Sequence, residues 1–132
     1  MRLLHPKNWT PTKGFSNGVA AEGRQIFVAG QIGSNTNQEI VDDDFVTQVE
    51  QALRNIVDIL AEADARAEHL VRLTWYIIDK REYVARSREV GQAYRRVVGR
   101  HFPAMTLVQV AALLDDRAKV EIEATAVVPL TR

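Results

Sequence analysis

Glu121 is the residue best placed to do chemistry. It sits in Lys119-Val120-Glu121-Ile122-Glu123-Ala124-Thr125-Ala126-Val127, where alternation sends Glu121, Glu123 and Thr125 to one side and Val120, Ile122 and Ala124 to the other. A carboxylate facing a partly apolar cleft loses solvation, holds a proton more readily, and can activate water or shuttle that proton. The same pattern also describes a surface glutamate on an exposed antiparallel sheet, and the alternation does not separate the two. Other chemistry-bearing residues are sparse. His5, His69 and His101 lack the i, i+4 spacing of helical metal pairs, so no metal site is expected. Asp42-Asp43-Asp44 is followed by no glycine turn or distal glutamate at calcium-loop spacing, and reads as a helix cap. The absence of cysteine removes thiol nucleophiles, thiolate metal sites and disulfides together. No G-x-S-x-G elbow, G-x-x-x-x-G-K-[ST] loop or G-x-G-x-x-G turn occurs, which argues against ordinary serine-hydrolase, nucleotide-hydrolase and dinucleotide chemistry.

The elements that would position Glu121 follow from periodicity. Gly14–Val19 and Arg24–Gly30 read as two short strands joined by a Glu22-Gly23 turn, best fitted by a hairpin. After the polar stretch Gly33–Gln38, the three aspartates announce a helix whose apolar stripe is Phe45, Val49, Leu53, Ile56 and Leu60, ending near Ala63. Val71–Ile78 is β-branched and aromatic and reads as a central strand, with Trp75 and Tyr76 on opposite faces. Trp75 and Tyr94 are most simply core aromatics, and Tyr76 is a candidate pocket-wall or interface residue. A second helix from Glu82 to about Gly99 places Tyr83, Ser87, Val90, Tyr94 and Val97 on one face, leaving Arg86, Arg88, Arg95 and Arg96 as solvated charges. Met105–Ala111 and Lys119–Val127 then read as a second hairpin. The expected order is β-β-α-β-α-β-β: an α+β fold with one mixed sheet and two helices on one face. The other sheet face, half apolar and bearing carboxylates, is what a subunit interface with a cleft requires.

Composition bounds the partners. A chain of 132 residues suits a single domain spanning 1–132, with a core that needs no staples. Seventeen basic residues balance seventeen acidic ones. There is thus no global field to draw nucleic acid or anionic membrane, and neither is an expected partner. No segment approaches the roughly 18 apolar residues of a membrane span, and the first residues lack an export signal, so a cytoplasmic location is expected.

Phe102-Pro103-Ala104-x-Thr106-Leu107-Val108-x-Val110, followed by Val120-Glu121-Ile122-Glu123-Ala124-x-Ala126-Val127, resembles the closing hairpin of the RidA family, also called YjgF/YER057c/UK114. Gly14–Val19, Phe27–Ile32 and Tyr76–Asp79 are similar to its early and middle strands in order and spacing, so the resemblance covers nearly the whole chain. It implies a homotrimer with sheets packed into a central barrel-like assembly, helices outside, and small-molecule pockets between subunits. Active members of the family hydrolyse enamines and imines derived from amino acids to keto acids and ammonia, without a cofactor.

The resemblance makes Glu121 the catalytic residue, after a loop one residue longer than usual. It implies a substrate-binding set of Phe15, Ala29, Gly30, Gly91, Met105, Thr106 and Leu107, with backbone groups near Gly30, Met105 and Leu107 orienting the substrate. Four of these depart from the family pattern. Met105 stands where an arginine usually grips the substrate carboxylate, Phe15 where tyrosine is common, Ala29 where serine is common, and Gly91 roughly where asparagine is frequent. All four changes remove polarity, which implies a less anionic, more apolar ligand and poor activity on imines of simple amino acids. Arg72 and Arg24 are candidate replacements for the missing arginine. Two functions stay open: a hydrolase of an enamine, imine or related bond, and a noncatalytic binding protein with an apolar pocket around Met105, Phe15 and Ala29. Ribonuclease activity, suggested by an older family label, is not expected of a neutral chain without a general-acid/base histidine pair.

Overall fold

The computed structural model describes residues 1–130; the last two residues of the expected domain lie outside the described ones. Its centre is a four-stranded mixed sheet in the order β3-β6-β4-β5, built from β3 (Arg24–Gln31), β6 (Val120–Val128), β4 (Leu70–Ile77) and β5 (Ala104–Gln109). β6 is antiparallel to β3 and to β4, and β4 is parallel to β5. The α+β class and the central place of β4 are as the sequence implies.

Both expected hairpins are overturned. β2 (Gly18–Ala20) pairs with β1 (Arg2–Leu4), an edge ribbon the sequence reading missed, and not with β3. Residues 14–17 are instead tied to the start of β5: Ser16 donates its N–H to Pro103 O at 3.0 Å and its Oγ–H to Phe102 O at 2.6 Å. β5 and β6 are not neighbours, because β6 lies between β3 and β4. Val120, Ile122 and Ala126 are fully buried, so β6 gains most from an interior position with strands on both sides, whereas half-exposed β5 takes the edge. The parallel β4–β5 pair requires a crossover, which the second helical region supplies.

Helix α1 (Phe45–Glu62) forms where expected. Asp44 caps it, its carboxylate accepting from Thr47 N at 3.0 Å, and Phe45, Val49, Leu53, Ile56 and Leu60 are all essentially buried. Gln48, also fully buried, donates to the carbonyls of Asp42 and Arg117 and accepts from Lys119 N, which fastens α1 to the loop before β6. The expected second helix is two: α2 (Lys80–Ala85), capped by Asp79, and α3 (Ser87–Val97). They divide at Arg86, whose φ of −116° and ψ of 21° leave the helical region. Its guanidinium donates to Asp44 and Glu89, and Arg96 donates to Glu50. Two of the four arginines expected to be merely solvated therefore brace α3 to α1. Hydrogen bonds from Arg86, and from Arg96 and Arg54, hold the Asp44 and Glu50 carboxyls respectively below the usual carboxylate range. No helix among the described residues is long and apolar enough to cross a membrane.

Candidate functional site

The helix side of the sheet carries a cavity of about 510 Å³. Its floor is set by the parallel register that places Met105 beside Leu73 and Leu107 beside Trp75, turning both β5 side chains toward the helices. Its roof is the segment Lys13, Gly14 and Phe15, held down by the Ser16 bonds to Phe102 and Pro103. Its far wall is α3, where Ser87, Val90, Gly91, Tyr94 and Arg95 share one helical face. Phe102 stacks on Tyr94 with ring centroids 5.4 Å apart, and Tyr94 donates its hydroxyl proton to His101 O at 2.5 Å. Burial pushes the Tyr94 phenol up, so it stays protonated and keeps that bond. A Cβ at Gly91 would meet only Arg95 Nη1, at 3.5 Å, an ordinary contact; the glycine leaves room rather than relieving a clash.

Glu121 lies on the opposite face of the same sheet. The β3–β6 register shifts between Val28 and Gln31, a bulge that takes Ala29 and Gly30 out of the regular ladder and brings Gly30 under the Glu121 side chain. A Cβ at Gly30 would overlap Glu121 Oε2 and crowd its Cδ and Cγ, so the carboxylate rests in space that only glycine leaves open. Among the described residues Glu121 makes no side-chain hydrogen bond or salt bridge. Its neighbour Glu123 instead accepts from Tyr76 OH at 2.6 Å, and this bond raises the Tyr76 phenol. The open face also presents Phe27, 72% exposed, and Val108, 41% exposed, together with Thr106.

The protomer thus divides the expected site residues into two groups. Phe15, Gly91, Met105 and Leu107 meet in the helix-side cavity; Ala29, Gly30, Thr106 and Glu121 belong to the open face. Neither suggested replacement arginine lines the cavity. Arg24 donates to Ala63 O at 2.7 Å, and Arg72 sits on β4 opposite Thr125. The cations that do line it are Lys13 and Arg95, and sequence reasoning missed both. For Arg95 the sequence carries a signal: 87, 90, 91, 94 and 95 fall on one helical stripe, which outweighs the expectation of a solvated charge. Trp75 and Tyr94, expected as core aromatics, are buried and also line the cavity, together with Tyr83. No cluster of three or more His, Asp or Glu side chains among the described residues is arranged to hold a metal ion.

Residues 6–128 match the family described as Endoribonuclease L-PSP. A RutC family protein of Aquifex aeolicus is 34% identical over 122 residues, 92% of this chain and 94% of its own length. The 2-iminobutanoate/2-iminopropanoate deaminase of Homo sapiens is 32% identical over 110 residues, 82% of this chain and 77% of its own. Among solved structures, the Rid-family protein YyfB of Yersinia pestis, of unknown function, matches with a TM-score of 0.86 at 31% identity, covering 96% of this chain and 98% of that one.

Proposed function

The chain belongs to the Endoribonuclease L-PSP family, which takes in RutC, YjgF and UK114 relatives, and from that premise we propose that it hydrolyses the C=N bond of an enamine or imine bulkier or less anionic than those of simple amino acids. The observation that carries this reading is the unpaired Glu121 carboxylate over Gly30. A carboxylate committed to a salt bridge is poorly available to a substrate, and among the described residues this one is uncommitted. The catalytic face and the apolar cavity lie on opposite sides of one sheet, so a complete pocket needs the Glu121 face of one copy against the Met105 cavity of another. Exposed Phe27 and Val108 favour such an association.

In that pocket Glu121 takes a proton from water as the water oxygen bonds to the imine carbon. The C=N electron pair moves onto nitrogen, which is protonated. Glu121 returns its first proton to that nitrogen to complete the carbinolamine, then relays the O–H proton to the nitrogen as the C–N bond breaks, so that ammonia leaves, a carbonyl remains and the carboxylate is restored. An enamine enters the same sequence after protonation at carbon. Backbone groups near Gly30, Met105 and Leu107 orient the substrate.

Glu121→Gln keeps the shape of the side chain and removes its basicity. Turnover is expected to fall about 10²- to 10⁴-fold while the circular dichroism spectrum and melting temperature hold. Unchanged turnover would refute the assignment of Glu121. A parent that binds ligand and turns nothing over, with binding intact in the variant, would support a noncatalytic binding protein instead, the reading favoured by the apolar wall of Phe15, Met105 and Phe102.

A further inference from the structure

Among the described residues the helix-side cavity is lined by cations and by no anion: Lys13 enters from the roof and Arg95 from the far wall, and neither Asp nor Glu contributes. Its other polar side chains, the Ser87, Tyr83 and Tyr94 hydroxyls, donate and accept without carrying charge, and burial holds both phenols protonated. The two cations are also uncommitted. Salt bridges within the described residues engage Arg54, Arg66, Arg86, Arg96 and Arg117, whereas Lys13 and Arg95 enter none. Arg95 is not simply turned away to water. Its Nη1 lies 3.5 Å from the point that a Cβ on Gly91 would occupy, so the guanidinium folds back one helical turn over the cavity wall. Lys13 and Arg95 are exposed, while Trp75 and Val90 are buried and Phe102, Met105 and Leu107 half-buried. The cavity therefore has an apolar interior and a positive rim, in a chain with no net charge.

We infer that Lys13 and Arg95 form an anion subsite at the rim of this cavity, and that the ligand is an acid with a ring-sized apolar body whose carboxylate stands several bonds from the reacting carbon. The inference deepens the proposed function and rests on it only in taking this cavity as the ligand site. In the imine of a simple amino acid the carboxylate adjoins the reacting carbon, and the floor at Met105 and Leu107 offers such a group no cation. The cations stand on the roof and on α3, so an acid that uses them must bridge from the floor with apolar atoms. A half-enclosed rim makes that pairing stronger than an exposed ion pair and weaker than a buried one.

The test uses the intact protein and two probe pairs, each an acid with its uncharged amide: hydrocinnamate with hydrocinnamide, and benzoate with benzamide, in which the charge stays beside the ring. Affinities come from calorimetric titration, and the Met105 methyl signal reports occupancy of the cavity. The chain has two methionines, and Met105→Leu assigns their signals. Hydrocinnamate is expected to bind about 10-fold tighter than its amide, and benzoate no more than about 2-fold tighter than its own. The hydrocinnamate preference should vanish when Lys13→Gln and Arg95→Gln are combined, and narrow in about 1 M salt, where the screening length is about 3 Å. Equal affinities for hydrocinnamate and its amide, with the Met105 methyl still shifting, would overturn the inference and leave the cavity as the ligand site. A preference that survives the loss of both cations, or one as large for benzoate, would overturn it too. If no probe moves the Met105 methyl, the cavity itself fails as the ligand site, and the proposed function fails with it. Should the double variant not fold, the ratios in the parent and their salt dependence still decide the matter.

Discussion

Met105→Arg isolates the consequence of the apolar cavity floor. Met105 sits half-buried on β5 beside Leu73, so an arginine there runs its methylene stem along the same apolar surface and carries its guanidinium into the cavity. Without ligand the change should cost about 1 kcal/mol or less, because the cavity is open enough for the head group to remain hydrated. With a carboxylate-bearing ligand the guanidinium forms a two-pronged charge-assisted pair, worth about 2–5 kcal/mol in an enclosed site, or roughly 30- to several-thousand-fold in binding. Arg95 and Lys13 in the same cavity oppose a third cation, which favours the lower end of that range.

The assay is ammonia release from freshly generated imines of leucine and alanine, beside the imine of a decarboxylated amine analogue. The parent should be poor on the two amino-acid imines. The variant should gain about 30-fold or more in kcat/KM on those two, and change by no more than a few-fold on the analogue. If the parent already hydrolyses the leucine imine well, the reasoning from Met105 is wrong, and Arg95 or Lys13 holds the carboxylate. Arg95→Ala or Lys13→Ala would then abolish that activity and identify which.

Gly30→Ala should displace the Glu121 carboxylate and lower turnover about 10²-fold, with little loss of stability; activity equal to the parent's would show that the close approach has no role. The parent is expected to run at three times the protomer mass in light scattering, and Phe27→Lys, which puts a charge on the open sheet face at the edge strand β3, should convert it into folded monomer. A parent that is itself a monodisperse monomer would remove the shared pocket. Asp44→Ala deletes the α1 cap and should cost about 1 kcal/mol in urea unfolding at pH 7. Because Asp44 and Glu50 have folded-state values below their unfolded ones, their contribution is complete above about pH 5 and fades as the pH falls through the unfolded and then the lower folded values; the difference between parent and Asp44→Ala should therefore shrink in acid, and a difference that stays constant to pH 2 would contradict the Arg86 pairing.

Local physics in the sequence located most elements and misassigned their neighbours. The α1 stripe, the Asp44 cap and the alternation of β6 are properties of adjacent residues, and each reappears in place. Strand pairing is not such a property. Nothing within 104–128 says that β6 leaves β5 to lie between β3 and β4; that choice depends on how much apolar surface each strand can bury against the helices. The candidate site inherits this division. The sequence correctly separates Leu107 from Thr106, and Glu121 from Ile122, as opposite faces of their own strands. It cannot say which face of β5 joins which face of β6 until the registers Leu107 to Trp75 to Ile122 are known. Those registers put Met105 and Leu107 with the buried side of β6, and Thr106 with Glu121. One protomer therefore cannot place the Met105 side chain and the Glu121 carboxylate on the same side of its sheet. If they act on one ligand, the chemistry depends on assembly, and dissociating the copies should abolish turnover while leaving each protomer folded around α1.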